Sequence, residues 1–277
     1  MDGRLETATE ARLPGGFERD GAWQRRVWLR AWSARDELDV FGDRSLRPAA
    51  RATALLAGCV YLDDGRTHAG VDFVRDLTVG DREALLLQLR GLTLGQGLPC
   101  VLDCPSCGET MELTLRTQDL LVAASSAEGP WHTAAAPSGS VVTYRLPTGR
   151  DQEAVSARAA TDPAGAAHEL ARRCARDGRV DDDAYDTVAA RMSELDPQAE
   201  ILIDVACPAC NRSCQILFDT LSYIDGELGR ARSRLRDEIH LLAFHYHWSE
   251  AEIVAMPRRS RVEYVENLVR ALERAAS

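Results

Sequence analysis

The sequence predicts an α+β chain, and three observations carry that prediction. Two short stretches, Cys104-Pro105-Ser106-Cys107-Gly108 and Cys207-Pro208-Ala209-Cys210-Asn211, repeat one pattern about a hundred residues apart, each with strand-like sequence on both sides. Several longer segments carry apolar residues at helical spacing behind Ser, Thr or Asp N-caps. Turns rich in Gly, Asp and Pro separate these segments along the whole chain.

Residues 1–22 are polar and contain glycine, which predicts a flexible N-terminus. Val27-Trp28-Leu29-Arg30-Ala31-Trp32 reads as a strand. Ser33 then caps a short helix to about Phe41, with Asp36 and Glu37 in its first turn, where the helix dipole favours anions. Residues 47–60 carry Ala50, Ala54, Leu55 and Cys59 at helical spacing, and Asp63-Asp64-Gly65 is a turn signal. Thr78 and Asp81 form a cap pair for a helix over 78–92 striped by Leu85, Leu86 and Leu89, which Gly95 and Gly97 end.

Strands are predicted on both sides of the first Cys motif, through Val101 and through Met111-Glu112-Leu113-Thr114-Leu115. Residues 123–140, rich in Ala, Ser, Gly and Pro, read as a linker. A strand over 141–146 and helices over 152–159, 163–176 and 183–194 follow. Ile201 to Val205 leads into the second Cys motif, and Gln215 to Phe218 leads out. The last third is helical: 221–246, a short helix capped by Ser249 with Glu252, and a final helix from Pro257 to about Ala275.

These elements divide the chain into a flexible terminus (1–22), a mainly helical N-terminal region (23–97), a discontinuous ribbon (98–116 with 198–219), an inserted α/β segment (117–197) and a C-terminal helical region (220–277).

Composition narrows the function classes. The 277 residues are 45% hydrophobic but only 6% aromatic, so a sizeable core is expected to be built mostly of aliphatic side chains. The net charge of −10 argues against broad binding to a nucleic-acid backbone. All 33 basic residues are arginine. No apolar run approaches 18 residues, so no membrane span is predicted, and the polar, acidic start does not read as a secretory signal. Eight cysteines in that context read as reduced thiols or metal ligands of a cytoplasmic protein.

The paired Cys motifs carry the chemistry. A CxxC turn lets two thiolates reach one ion, and four thiolates satisfy a structural zinc. The chain turns sharply after the second Cys, where Gly108 adopts positive φ freely and Asn211 is the best substitute for glycine. Pro105 and Pro208 preset φ inside each turn. Cys104, Cys107, Cys207 and Cys210 are therefore assigned as ligands of one structural Zn2+, giving zinc-ribbon-like hairpins joined by a single site in a ribbon that draws on both halves of the chain. Cys100 and Cys214 lie one short strand step away and read as bystanders.

Thiol redox catalysis would place CxxC at a helix N-terminus, whereas both pairs here lie between strands. Catalytic zinc keeps an open coordination position, which four thiolates fill. No GxSxG, P-loop, GxGxxG or HExxH pattern is present, so no catalytic residue and no bound organic cofactor is predicted. His240, His245 and His247 cluster near a helix end, where cations suit the dipole. Arg230, Arg232, Arg234 and Arg236, with Arg258, Arg259 and Arg261, form the one basic region. They motivate an alternative, a zinc-ribbon nucleic-acid-associated regulator, while a metal- or thiol-dependent enzyme is the third reading. Trp28, Trp32 and Trp248 read as core anchors.

Four segments together resemble the baseplate proteins of contractile phage tails, of the T-even hub assembly type, and their relatives in phage-like contractile injection systems. They are Leu77-Thr78-Val79-Gly80-Asp81-Arg82-Glu83, the two Cys motifs, Arg145-Leu146-Pro147-Thr148-Gly149-Arg150-Asp151, and Leu242 to Glu250 with Pro257-Arg258-Arg259 and Tyr264. The resemblance implies a non-enzymatic structural or assembly role, partners among other baseplate or tail subunits, and no small-molecule substrate. The sequence departs from the family pattern at His247, where a glycine is expected before Trp248, and at Asn211, which replaces the glycine of the second Cys motif.

Overall fold

The computed structural model describes residues 8–43, 45–125 and 129–276, without the side chains of residues 230–233 and 276. Arg230 and Arg232 of the predicted basic region thus lie outside the described side chains, and residues 1–7 lie outside the described chain.

The N-terminal part is a four-stranded antiparallel sheet against helices. Strands β1 (Thr9–Arg19), β2 (Ala22–Leu29), β3 (Val60–Leu62) and β4 (Thr67–His68) pair in sequence order. Helices α1 (Ala34–Gly42) and α2 (Pro48–Cys59) lie between β2 and β3, and α3 (Gly70–Asp76) leads to α4 (Val79–Leu94). The caps follow the sequence reading. Ser33 and Asp36 make a full capping box on α1, and the Thr78 hydroxyl accepts the Asp81 N–H at 3.2 Å on α4.

Helix α4 is central. Its Leu85, Leu86 and Leu89 are fully buried with Leu13, Val27, Trp32, Leu55, Leu56 and, from the far end of the chain, Ile224 and Leu228. Removing one such leucine side chain would cost about 2–5 kcal/mol, through lost transfer energy and the cavity left behind.

The predicted flexible N-terminus is corrected for residues 9–19, which form a strand whose Ala11 and residues 13–16 are buried. Pro14, Gly15 and Gly16 read as loop in the sequence, yet they form a bulge whose N–H groups are held from the side. Asp81, fully buried in the first turn of α4, accepts Gly15 N–H at 2.7 Å and Gly16 N–H at 2.9 Å. The register of β1 with β2 shifts between Arg12 and Phe17 to allow this. Gly16 has φ of +89°, and a Cβ there would lie 2.5 Å from the Gln24 carbonyl, so the bulge requires glycine.

Two further two-stranded antiparallel sheets carry the Cys motifs: β5 (Gly97–Asp103) with β6 (Thr110–Arg116), and β9 (Leu202–Ala206) with β10 (Ser213–Leu217). The strands predicted on both sides of each Cys motif thus form two hairpins, one from each half of the chain, which are not hydrogen-bonded into a common sheet. Between them, β7 (His132–Ala135) pairs with β8 (Val141–Tyr144), and α5 (Gly149–Ala159), α6 (Pro163–Cys174) and α7 (Asp182–Leu195) follow. Strand β7 falls inside the stretch read as a linker. Its Ala134 buries against Tyr144 and Val188, which gives this segment a small core of its own.

The C-terminal helices are α8 (Thr220–Tyr246), α9 (Glu250–Ala255) and α10 (Arg258–Ala276). His247 ends α8 in the left-handed conformation, φ 56°, which explains why a glycine is expected at that position. These helices are tied back to the first half. Arg90 on α4, 3% exposed, pairs with Glu227 on α8, and buried Glu37 accepts the Trp32 indole N–H at 3.2 Å and Arg258 at 3.3 Å. Fully buried Arg261 pairs with Glu238 at 2.7 Å. Arg258 and Arg261 of the basic region are thus committed inside the molecule. No helix among the described residues is long and apolar enough to cross a membrane. Trp32 is a core anchor, whereas Trp28 and Trp248 are half-buried.

Asp196, after α7, reaches the start of α4 and accepts the Gly80 N–H at 2.9 Å. A Cβ on Gly80 would collide with this carboxylate. Burial pushes the Asp196 carboxyl up to about 6, against the Gly80 N–H that favours its ionised form. Its folded pKa lies above the ordinary 3.8, so ionisation is costlier in the fold than in the unfolded chain. This residue therefore subtracts stability as pH rises from about 4 to about 6. Asp196→Asn keeps an acceptor for Gly80 and removes the titration. Urea unfolding at pH 4 and pH 7.5 should show the variant gaining on the native protein by on the order of 2 kcal/mol between the two. A pH-independent difference contradicts this.

Candidate metal centre

Each Cys motif is a tight turn closed by its own backbone. Cys104 N–H donates to the Glu109 carbonyl and Gly108 N–H to the Cys104 carbonyl, both at 2.8 Å. The second repeats this, with Cys207 N–H to the Arg212 carbonyl and Asn211 N–H to the Cys207 carbonyl, both at 2.9 Å. Gly108 and Asn211 both have positive φ, 77° and 56°, as the sequence anticipates. Identical hydrogen bonding explains why Asn can stand at 211: its short polar side chain tolerates the left-handed conformation that the turn needs.

The turns face each other. The sulfurs of Cys104, Cys107, Cys207 and Cys210 all lie within 4.8 Å of one another. Across the two hairpins, Cys104 Sγ is 3.8 Å from Cys210 Sγ and Cys107 Sγ is 3.7 Å from Cys207 Sγ. A disulfide needs about 2.05 Å, so these are free thiols. A tetrahedral thiolate shell with bonds of about 2.3 Å sets its sulfurs about 3.8 Å apart. The observed spacing thus suits a single four-coordinate metal ion.

Cys104 and Cys207 are buried, packed with Met111 beneath the site, while Cys107 is exposed and Cys210 half-buried. The Ser106 N–H, with that of Cys107, points toward the Cys104 sulfur and draws its thiol below the ordinary cysteine range, while the neighbouring sulfurs hold Cys107 up.

The other sequence candidates stay apart. Cys100 turns inward in β5, its thiol 3.4 Å from the Leu98 carbonyl. Cys214 in β10 is 3.5 Å from the Val205 carbonyl. Both are directed at backbone. His240 and His245 flank Phe244, in ring contact with it, and do not converge on a shared centre with His247. Neither Cys motif opens a helix, so the geometry that activates redox CxxC pairs is absent from both. The sequence reading missed the buried carboxylates around the start of α4. Asp81 reads as an ordinary helix-start residue, and only its tertiary partners reveal its burial.

Two resemblance segments also meet. Thr78 and Thr148 form a bridge, Val79 N–H donates to the Pro147 carbonyl, and Gly149 N–H to the Leu77 carbonyl. Asp151 closes the second segment. It caps α5 with Thr148 and takes two hydrogen bonds from Arg145.

These features define an α+β protein in which two hairpin turns bring four cysteines together. The model of the family described as T4 bacteriophage base plate protein matches residues 25–176, more than half of the chain, and the chain belongs to that family. The matched region contains the first Cys motif and stops before the second. No curated protein and no solved structure matches the chain.

Cys207→Ser should abolish metal retention, because serine is a poor ligand in a thiolate shell, whereas Cys214→Ser should leave one bound metal per chain. Elemental analysis of the purified proteins decides this. Equal metal in both variants, or loss in both, contradicts the ligand set.

Proposed function

We propose that this chain is a non-enzymatic structural or assembly component of the baseplate of a contractile phage-tail-like particle. Cys104, Cys107, Cys207 and Cys210 hold one structural zinc that joins the two halves of the chain. The observation that carries the reading is the convergence of four sulfurs from hairpins on opposite sides of an inserted segment, in a protein of the baseplate family. Zinc fits the donor set because it favours thiolate, has no redox chemistry and accepts four-coordinate tetrahedral shells. When bound it supplies charge and cross-linking. The protein's part is to hold four thiolates at the required spacing on two rigid turns.

Filling the shell with sulfur leaves no position for substrate or water, which suits a staple and not a catalyst. Partners are other baseplate or tail subunits, with a place at the hub as the closest reading of the sequence resemblance. Large apolar side chains at the surface, Val101, Leu217 and Phe244 among them, offer contact area for such partners. The protein acts from the cytoplasm, where such particles are assembled.

Deleting the gene in the producing cells should leave the other tail proteins present but reduce complete contractile particles, seen by electron microscopy, by at least about tenfold. Restoring the native gene should restore them, whereas Cys104→Ser should not. Normal particle numbers in the deletion contradict the assembly role.

A further inference from the structure

A cleft of about 510 Å3 opens where five parts of the chain meet: the start of α2, the first turns of α4, helix α5, the segment leading into β9 and the β10–α8 junction. Its walls are apolar, built by Ala52, Val155, Ile201, Leu217, Phe218 and Leu221. Glu83, on α4, lines the cleft and makes no ion pair among the described residues. Arg82, next to it in sequence, is turned away, its guanidinium donating to the carbonyls of Val74 and Ala49.

Burial pushes the Glu83 carboxyl up to about 7. The Thr220 hydroxyl and Arg82 favour its ionised form, and the negative charges of Asp219 and Asp196 oppose it. Thr220 Oγ1 lies near Glu83 but is buried without a hydrogen bond of full geometry among the described residues. Asp219 also lines the cleft, its carboxylate accepting from the Ser222 N–H and hydroxyl. The one cation in the lining is Arg47, which is exposed and unpaired with Glu83.

The cleft therefore has apolar walls and lacks a counter-ion for its acidic group. An aliphatic stem with a positive tip answers both features. The stem covers the apolar walls, and the tip neutralises Glu83 within reach of the Thr220 hydroxyl. We propose that this cleft is the receptor for a lysine or arginine side chain presented by a neighbouring baseplate subunit. The source of the cation rests on the assembly role above; the site itself does not.

Isothermal titration of the full chain at pH 8 tests the site, using N-acetyl-lysine methylamide against the norleucine analogue that lacks the ammonium. Saturable binding of the lysine compound is expected, at least about tenfold tighter than the norleucine compound, with that preference lost in Glu83→Gln. Arg47→Ala, which removes a like charge from the cleft lining, should tighten lysine binding by about threefold. Glu83→Gln is near-isosteric and removes an unpaired charge from a half-buried side chain, so it should fold as well as the native chain. No saturable binding, equal affinity for the two compounds, or a preference that survives in Glu83→Gln overturns the site.

The source of the cation is read by complementing the gene deletion. If the native gene restores particles and Glu83→Gln yields at least about tenfold fewer, a neighbouring subunit is the source. Equal yields overturn that assignment. A deletion that does not impair particles fails the assembly role instead and removes a subunit as source, while the titration still decides the site.

Discussion

The approach of four sulfur atoms, two from each hairpin, to within 4.8 Å of one another is the constraint that any account of these turns must meet. Each hairpin is only two strands, and an isolated two-stranded hairpin is marginal in water. Here β5–β6 and β9–β10 share a small buried cluster of Cys104, Met111 and Cys207 and a larger one around Leu98 and Ile201. Unliganded, four thiols this close would repel one another as soon as more than one ionised. The zinc proposed above would reverse the sign of that interaction and turn mutual repulsion into a cross-link between the two hairpins.

The same joining recurs, by other means, along the axis of α4. This helix receives the β1 bulge on Asp81, the post-α7 turn on Gly80 and the C-terminal helix α8 on Arg90. Most buried polar groups near it are matched to backbone or to an opposite charge, with Arg82 Nε and Thr220 Oγ1 left without a partner among the described residues. Glu83, half-buried, has no ion-pair partner among the described residues, and it lies at a cleft to which N-terminal, inserted and C-terminal parts all contribute walls. A subunit assembled from distant segments thus presents a composite surface that exists only when its parts are docked. This suits a component whose work is to be recognised in its folded form.

Local chemistry was legible in the sequence; long-range contacts were legible only where a spacing repeats, as at the cysteines. The capping pairs Ser33–Asp36, Thr78–Asp81 and Ser249–Glu252 each mark a helix start, because their hydrogen bonds span only three residues. Gly108 and Asn211 announced the left-handed turns, and the departure at His247 falls on another left-handed residue. Strand β1 was hidden because its bulge carries Pro14, Gly15 and Gly16, loop-forming residues whose order comes from Asp81, sixty-odd positions away. Strand β7 is short and alanine-rich, with no alternation to reveal it, and α3 is a single short helix without a side-chain cap. The four site cysteines were readable as a set because their spacing repeats. The two hairpins were readable as well, because each pairs strands that directly flank its own Cys turn.

X-ray absorption at the zinc edge, on the full chain as purified, addresses the central claim directly. The account predicts one zinc per chain with four sulfur neighbours at about 2.3 Å. A shell containing nitrogen or oxygen, fewer than four sulfurs, or protein that folds and carries no metal would contradict it.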